Sequence, residues 1–186
     1  MSQEGSSSYA TKSLSYDDIF KLLMWTIKPK CIVEFGILHG YSLKCFANNT
    51  DASTKITAYD IFEKFNGNSA KRDIYTSFSS YPNVSIQEGD FYKMVSSLED
   101  ASVDILHIDI ANDGAVYEFA VDNYMSKLST GGVMILEGGS EERDHVEWMI
   151  KYSKKSIRDT LKVLHSKYDV YTMTGFPSMT IIKKLL

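Results

Sequence analysis

Residues 30–42 read KCIVEFGILHGYS, and this stretch decides the fold. A short apolar run that ends at Gly36 is typical of a buried strand. Gly36 and Gly40 allow the backbone to turn sharply and to come close to a ligand. A helix that begins at Tyr41 would present free N–H groups, which favour an anion such as a carboxylate. The spacing is GxxxG and not GxGxxG, so a nicotinamide-dependent oxidoreductase is disfavoured.

Strands and helices alternate along the rest of the chain. Apolar periodicity predicts seven strands, over residues 30–36, 55–60, 83–89, 103–109, 133–137, 168–174 and 178–183. It predicts helices over residues 19–27, 41–48, 92–98 and 116–128. A further helix is expected within residues 61–82, and residues 146–164 are expected to form one helix or two. Gly131-Gly132 is expected to close the helix over 116–128. The order predicts an α/β domain with a seven-stranded, mostly parallel sheet, helices on both faces and a C-terminal antiparallel hairpin.

The composition is that of one globular domain of 186 residues, with 44% apolar and 24% charged residues. A net charge of −4 argues against nucleic acid or an anionic membrane as the main partner. No stretch approaches the ~20 apolar residues that a membrane span needs. We therefore expect a cytoplasmic protein with a flexible N-terminal tail, residues 1–12, and a single domain, residues 13–186.

Acidic residues follow the predicted strands at the edge where ligands bind in open α/β sheets. Asp60 ends the second strand and could accept both hydroxyls of a ribose. Asp90 follows the third strand and could accept from an adenine amino group, while Phe91 could stack on the ring. The alternatives are an exposed strand-end carboxylate for Asp60 and core packing for Phe91.

Asp109 and Glu137 end the fourth and fifth strands and are the candidate catalytic and metal-binding residues, together with His39 for catalysis. Asp109 could bind a metal, orient a substrate or act as a base. Two carboxylates at neighbouring strand ends could share a divalent ion through oxygen ligands, or each could accept only from nearby backbone N–H groups. His39 lies in the glycine loop, from which it could reach a substrate.

Five segments together resemble the class I methyltransferases, and more narrowly the small-molecule O-methyltransferases related to macrocin O-methyltransferase. Between residues 30 and 140 they occur in the order of that family. The segments are 32–42, 59–65, 81–84 with 89–91, 107–109 with 117–118, and 128–133.

The resemblance implies the Rossmann-like class I methyltransferase fold and S-adenosylmethionine as cofactor. It also implies that a small molecule, a sugar or a natural-product type of acceptor, is methylated on oxygen. The residues that it implies for cofactor binding are Glu34, Gly36, Gly40 and Ser42 at the methionine, Asp60 at the ribose, Asp90 and Phe91 at the adenine, and Asp109 beside them. The alternative is a protein that binds the cofactor on the same fold without catalysis.

Two departures from the family concern the chemistry. Glu137-Gly138-Gly139 stands where the family often has an Asp-Asp pair that helps to bind magnesium, so Mg²⁺ bound by Asp109 and Glu137 remains open. No residue clearly corresponds to the family's catalytic base. A lid over the acceptor would come from residues 1–16, 61–80 and 138–145, or from the neighbouring subunit of a homodimer.

Overall fold

The computed structural model describes residues 16–174 and 177–184 and shows a seven-stranded sheet. The strands are β1 (Cys31–Phe35), β2 (Lys55–Asp60), β3 (Val84–Glu88), β4 (Val103–Ile108), β5 (Leu128–Glu137), β6 (Tyr168–Met173) and β7 (Met179–Lys184). The helices are α1 (Tyr16–Ile27), α2 (Tyr41–Asn48), α3 (Lys71–Ser77), α4 (Gly114–Tyr124), α5 (Glu141–Asp144), α6 (Glu147–Lys151) and α7 (Ile157–Leu164). The predicted tail, residues 1–12, lies outside the described residues.

The order of strands across the sheet is β3-β2-β1-β4-β5-β7-β6. The first five strands in this order are parallel, and β7 runs antiparallel to both β5 and β6. The predicted mostly parallel sheet with a C-terminal antiparallel hairpin is thereby confirmed. The chain order reverses between β1 and β4, and such a switch point is where open α/β sheets bind ligands.

Alternating side chains of each central strand fill the two layers of the core. Ile32 packs with α1 and α2 on one face, and Val33 packs with α4 and α7 on the other. By the same alternation Glu34 faces α1 and α2, whereas Phe35 faces α4. Among the described residues, no helix combines the length and the apolar character that crossing a membrane requires.

Two local predictions differ from the structure, and one that left two alternatives is resolved. Gly131-Gly132 does not close a helix but lies inside β5, where Gly131 has a φ of +82° and the pairing with β4 shifts in register. Residues 92–98 form parts of two 3₁₀ turns, the first of which Asp90 caps by accepting from the N–H of Tyr92. The region 146–164 contains two helices, because the chain turns at Ser153 with a φ of 48° before α7 begins.

Candidate active site

A cavity of about 490 Å³ opens at the carboxyl ends of β1, β2, β3 and β4. It lies over the switch point, where the strand order places a ligand. Its volume falls within the ~300–1,000 Å³ that is usual for small-molecule sites. The predicted cofactor-binding residues that line it are Gly36, Asp60, Asp90, Phe91 and Asp109. We call it the cofactor cavity.

The glycine turn between β1 and α2 depends on close backbone contacts. Gly36 has a φ of +90°, and a Cβ atom there would lie 2.0 Å from the carbonyl oxygen of Asp109. Gly40 has a φ of +75°, and a Cβ atom there would lie 2.6 Å from the ring of Phe78. Gly36 thus lets the ends of β1 and β4 approach at the cavity wall, whereas Gly40 packs on the α3 side and does not line the cavity.

Asp60 holds the glycine turn in place. One oxygen accepts from the N–H groups of Ile37 and Leu38, at 2.6 and 3.2 Å. The other accepts from the N–H of Phe62 at 2.6 Å and from Asn68 Nδ2 at 2.8 Å. These four bonds match the hydrogen-bonding capacity of a carboxylate. Asp60 therefore shapes the wall of the cofactor cavity, and its contact with a ribose stays a prediction.

Glu34 and Ser42 lie beneath the turn and outside the cofactor cavity. The Ser42 hydroxyl donates to Glu34 Oε1, and His107 Nδ1 lies 2.8 Å from the same oxygen. The rings of Phe20 and Phe46 pack on the His107 ring with centroids 5.5 and 5.4 Å away. This buried network ties β1 to α2 and β4, and a role for Glu34, Gly40 or Ser42 at the methionine stays a prediction.

Phe91 and Asp90 form the wall at the end of β3. Phe91 is 4% exposed and stacks on Tyr124 with centroids 5.2 Å apart, so most of its ring belongs to the core. Asp90 pairs with Lys93 at 3.1 Å, and this contact, together with the N–H of Tyr92, lowers the pKa of the Asp90 carboxyl. Both residues line the cavity, and their contacts with an adenine stay predictions.

Apolar side chains that the sequence reasoning missed complete the cofactor cavity. Leu38, Phe65 and Tyr92 line it and are 50%, 57% and 50% exposed. Lys154 also lines it and pairs with Asp113 at 3.1 Å. Phe65 lies in segment 59–65, which resembles the methyltransferases, and this position could have identified it as a candidate wall residue. No signal in the sequence marks Leu38 or Lys154.

Asp109 and Glu137 follow directly on paired positions of neighbouring strands, since Ile108 of β4 is in register with Leu136 of β5. Asp109 lines the cofactor cavity, and Glu137 lines a second cavity of about 660 Å³. Burial raises the pKa of Glu137, and the charge of Asp109 raises it further, against a lowering by Arg143. The two carboxylates therefore end neighbouring strands, as predicted, but they line different cavities.

Arg143, which the sequence reasoning missed, neutralises Glu137. Its Nε lies 2.7 and 2.9 Å from the two Glu137 oxygens, and its Nη2 donates to the carbonyl oxygen of Asn112 at 2.9 Å. The Asn112 amide in turn donates to the carbonyl oxygens of Ile108 and Glu137, which joins the ends of β4 and β5. No spacing in the sequence indicates that a residue of α5 fills this position.

The donor set does not fit the predicted magnesium ion. Both oxygens of Glu137 are already paired with the guanidinium of Arg143, which supplies a positive charge next to this carboxylate. In residues 16–174 and 177–184, no group of three or more His, Cys, Asp or Glu side chains is arranged to hold a metal. His39 is exposed, with its Nδ1 2.6 Å from Ser69 Oγ, and it lines neither cavity. The structure therefore does not bring His39 together with Asp109 and Glu137.

Comparison with known proteins places this geometry in a family. Residues 33–137, more than half of the chain, match the model of a family described as a methyltransferase domain. The chain belongs to that family, which confirms the predicted relation to methyltransferases.

Solved methyltransferases share the fold. The S-adenosylhomocysteine-bound methyltransferase PaMTH1 of Podospora anserina superimposes with a TM-score of 0.69 at 18% identity, over 95% of this chain and 80% of that chain. An O-methyltransferase of Bacillus cereus in complex with S-adenosylhomocysteine superimposes with a TM-score of 0.64 at 16% identity, over 95% and 84%. The uncharacterized protein y4gI of Sinorhizobium fredii is 26% identical over 132 residues, which are 66% of this chain and 14% of that protein. The chain thus spans a small part of the length of this curated relative.

Proposed function

We propose that this chain binds S-adenosylmethionine in the cofactor cavity and transfers its methyl group to a hydroxyl group of a small molecule. The observation that carries the proposal is the cavity at the switch point, walled by Gly36, Asp60, Phe91 and Asp109. A net charge of −4 favours a small acceptor over a nucleic acid. We also propose that the protein is cytoplasmic and that it forms a homodimer in which the neighbouring subunit supplies a lid over the acceptor.

The walls of the cofactor cavity suit the parts of the cofactor. Leu38, Phe65 and Phe91 offer apolar surface for an adenine ring. Asp90 and Asp109 offer carboxylates for polar and positively charged groups. When bound, the cofactor supplies a methyl group activated on a positively charged sulfur. The residues of this chain then need to align that group with the acceptor, which supplies much of the rate enhancement in such transfers.

Glu137 is the proposed base for the acceptor hydroxyl. It is the last residue of β5, beside Asp109, and lines the second cavity, so an acceptor bound there can reach it. A carboxyl whose pKa is raised toward the working pH is a better proton acceptor than an ordinary carboxylate. Asp109, at the neighbouring strand end and in the wall of the cofactor cavity, is the residue proposed to orient the reacting groups.

Calorimetric titration with S-adenosylhomocysteine tests the cofactor site, with NADH as the comparison ligand. We expect binding of the first and none of the second. Phe65→Ala removes a cavity wall and should weaken binding about tenfold, a loss of ~1.4 kcal/mol. Tyr171→Ala, which removes a similarly exposed aromatic ring on β6, should leave the affinity unchanged. No heat and no thermal shift at millimolar S-adenosylhomocysteine would contradict the proposal.

A further inference from the structure

The Asp60 carboxylate is already saturated with hydrogen-bond donors. Three of them are backbone N–H groups of the turns beside it, and the fourth is the side-chain amide of Asn68. A carboxylate accepts about four hydrogen bonds in all. Asp60 is also only 5% exposed, although it lines the cofactor cavity. A ribose hydroxyl could therefore bind Asp60 only by displacing one of these donors.

Asn68 differs from the other three donors because its side chain carries a second polar atom. Its Nδ2 donates to Asp60 Oδ1 at 2.8 Å. Its Oδ1 makes no hydrogen bond among the described residues and is not one of their buried unpartnered atoms, so this oxygen is accessible. Asn68 is half-buried and lines the cofactor cavity. The pairing with Asp60 thus holds the amide and leaves an accessible acceptor on a residue of the cavity wall.

The turn that carries Asn68 is held at further points. The Oγ atom of the neighbouring Ser69 lies 2.6 Å from Nδ1 of His39 in the glycine turn. The backbone N–H of Asn68 donates to the carbonyl oxygen of Phe65, whose ring lines the same cavity. These contacts place Asn68 in the wall before a ligand binds, so a ligand does not have to order it.

The two ways of binding a ribose hydroxyl at this wall differ in their cost. A hydroxyl that replaces Asn68 at Asp60 exchanges one hydrogen bond for another and separates the amide from its charged partner. A hydroxyl that donates to Asn68 Oδ1 adds a hydrogen bond and breaks none within the protein. The second arrangement is therefore favoured, with Asp60 behind Asn68 as the group that orients the amide.

We propose that Asn68 binds the ribose of the cofactor by accepting a hydrogen bond at Oδ1 from one of the ribose hydroxyls. The proposal rests on the function proposed above. Asp60 is then a positioning residue that acts on the ribose through Asn68, and it is not the direct ligand that its place at the end of β2 suggests. A neutral amide thereby distinguishes a ribose from a deoxyribose.

Calorimetric titrations with ribose analogues test this contact. The ligands are S-adenosylhomocysteine and its two analogues that lack the 2′- or the 3′-hydroxyl. In the unaltered chain, at least one analogue should bind about tenfold more weakly than S-adenosylhomocysteine, which is the loss expected for one hydrogen bond. Asn68→Ala should weaken binding of S-adenosylhomocysteine by a similar factor. This variant should bind the same analogue and S-adenosylhomocysteine with affinities within about twofold of each other.

A matched control lies in the same turn. Asn66 is exposed and does not line the cofactor cavity, so Asn66→Ala should leave the affinity for all three ligands unchanged. A purely structural role of Asn68 would lower all three affinities equally and preserve the preference for the hydroxyl. Thermal unfolding of the ligand-free variants checks that they are folded. If Asn68→Ala does not fold, Asn68→Ser, whose side chain is too short for both contacts, takes its place.

The outcomes separate this inference from the function on which it rests. Unchanged affinity of Asn68→Ala for S-adenosylhomocysteine, a preference for the hydroxyl that survives in this variant, or no such preference in the unaltered chain overturns the role of Asn68. In each of these cases the unaltered chain still binds S-adenosylhomocysteine. Failure of the unaltered chain to bind S-adenosylhomocysteine contradicts the proposed function instead.

Discussion

The carboxyl edge of the sheet has two halves that are built differently. In the cofactor half, at the ends of β1, β2 and β3, Asp60 is held by backbone N–H groups of the turns beside it. In the acceptor half, at the ends of β4 and β5, Glu137 is held by the side chain of Arg143 from α5. A carboxylate thus ends a central strand in each half, but three of the four donors to Asp60 are backbone N–H groups, whereas the Glu137 carboxylate is held by a side chain.

The difference determines how each half responds to change. A side-chain substitution does not remove a backbone N–H donor. The stability of the cofactor half should therefore depend on the glycines that shape its turns and on Asp60, which accepts from these donors. The acceptor half depends on the pairing of Glu137 with Arg143, so a substitution there alters charge and proton affinity with less effect on the sheet. We therefore expect losses of stability from the first half and losses of chemistry from the second.

Gly36→Ala should have the largest effect on stability. The new Cβ atom would lie 2.0 Å from the Asp109 carbonyl oxygen, at a φ of +90° that side chains rarely adopt. We expect a loss of about 3 kcal/mol or more in the free energy of unfolding, measured by urea denaturation. Gly131→Ala is the matched control, with a φ of +82° and no atom within 4 Å of the new Cβ, and should cost about 1 kcal/mol. Equal losses in the two variants would mean that close approach at Gly36 is unimportant.

Asp60→Asn should lower both stability and cofactor affinity. Its amide nitrogen cannot accept from the backbone N–H groups that one Asp60 oxygen now binds, so we expect a loss of about 2–4 kcal/mol in unfolding free energy. The distorted turn should also weaken S-adenosylhomocysteine binding at least tenfold.

Asp104→Asn offers the comparison at the opposite end of the sheet. Asp104 accepts from the N–H groups of Lys30 and Cys31 at 2.7 and 3.0 Å. The asparagine oxygen can still accept from both N–H groups and only the charge is lost, so we expect a cost of about 1 kcal/mol in unfolding free energy and no change in cofactor affinity. If Asp60→Asn also left the affinity unchanged, the turn would not be part of the cofactor site.

The pH dependence of methyl transfer should report Glu137. Burial and the charge of Asp109 raise its pKa, and the base acts in its ionised form. The rate therefore falls as the pH drops through this raised pKa, which places the acid limb of kcat/KM above the usual ~4.3 of a glutamate. Glu137→Gln should remove this limb together with most of the activity. An acid limb that persists unchanged in the glutamine variant would assign the base to another group.

Chelation should have the smallest effect. Arg143 provides the positive charge next to Glu137, so excess EDTA should leave both S-adenosylhomocysteine affinity and methyl transfer unchanged. A loss of activity in EDTA that Mg²⁺ restores would show that a metal contributes despite the arginine.

The sequence predicted the fold and the strand-end positions of Asp60 and Asp109, because both depend on local patterns. The bounds of α2 and β2 follow from apolar spacing between a glycine turn and a polar loop, and Asp60 and Asp109 follow from their positions at strand ends. Gly131-Gly132 was wrongly interpreted, since glycine marks a distorted strand as readily as a helix end. Arg143 could not be predicted, because its pairing with Glu137 depends on how α5 folds back over the sheet.

The crystal structure of the chain with S-adenosylhomocysteine is the most direct test of the account. We expect the adenosyl group in the cofactor cavity between Gly36 and Phe91, with the sulfur toward Asp109 and with the second cavity, which Glu137 and Arg143 line, left open. Ligand density at another site at saturating concentration, or none in a cavity that remains fully formed, would contradict the assignment of this edge of the sheet as the methyl-transfer site.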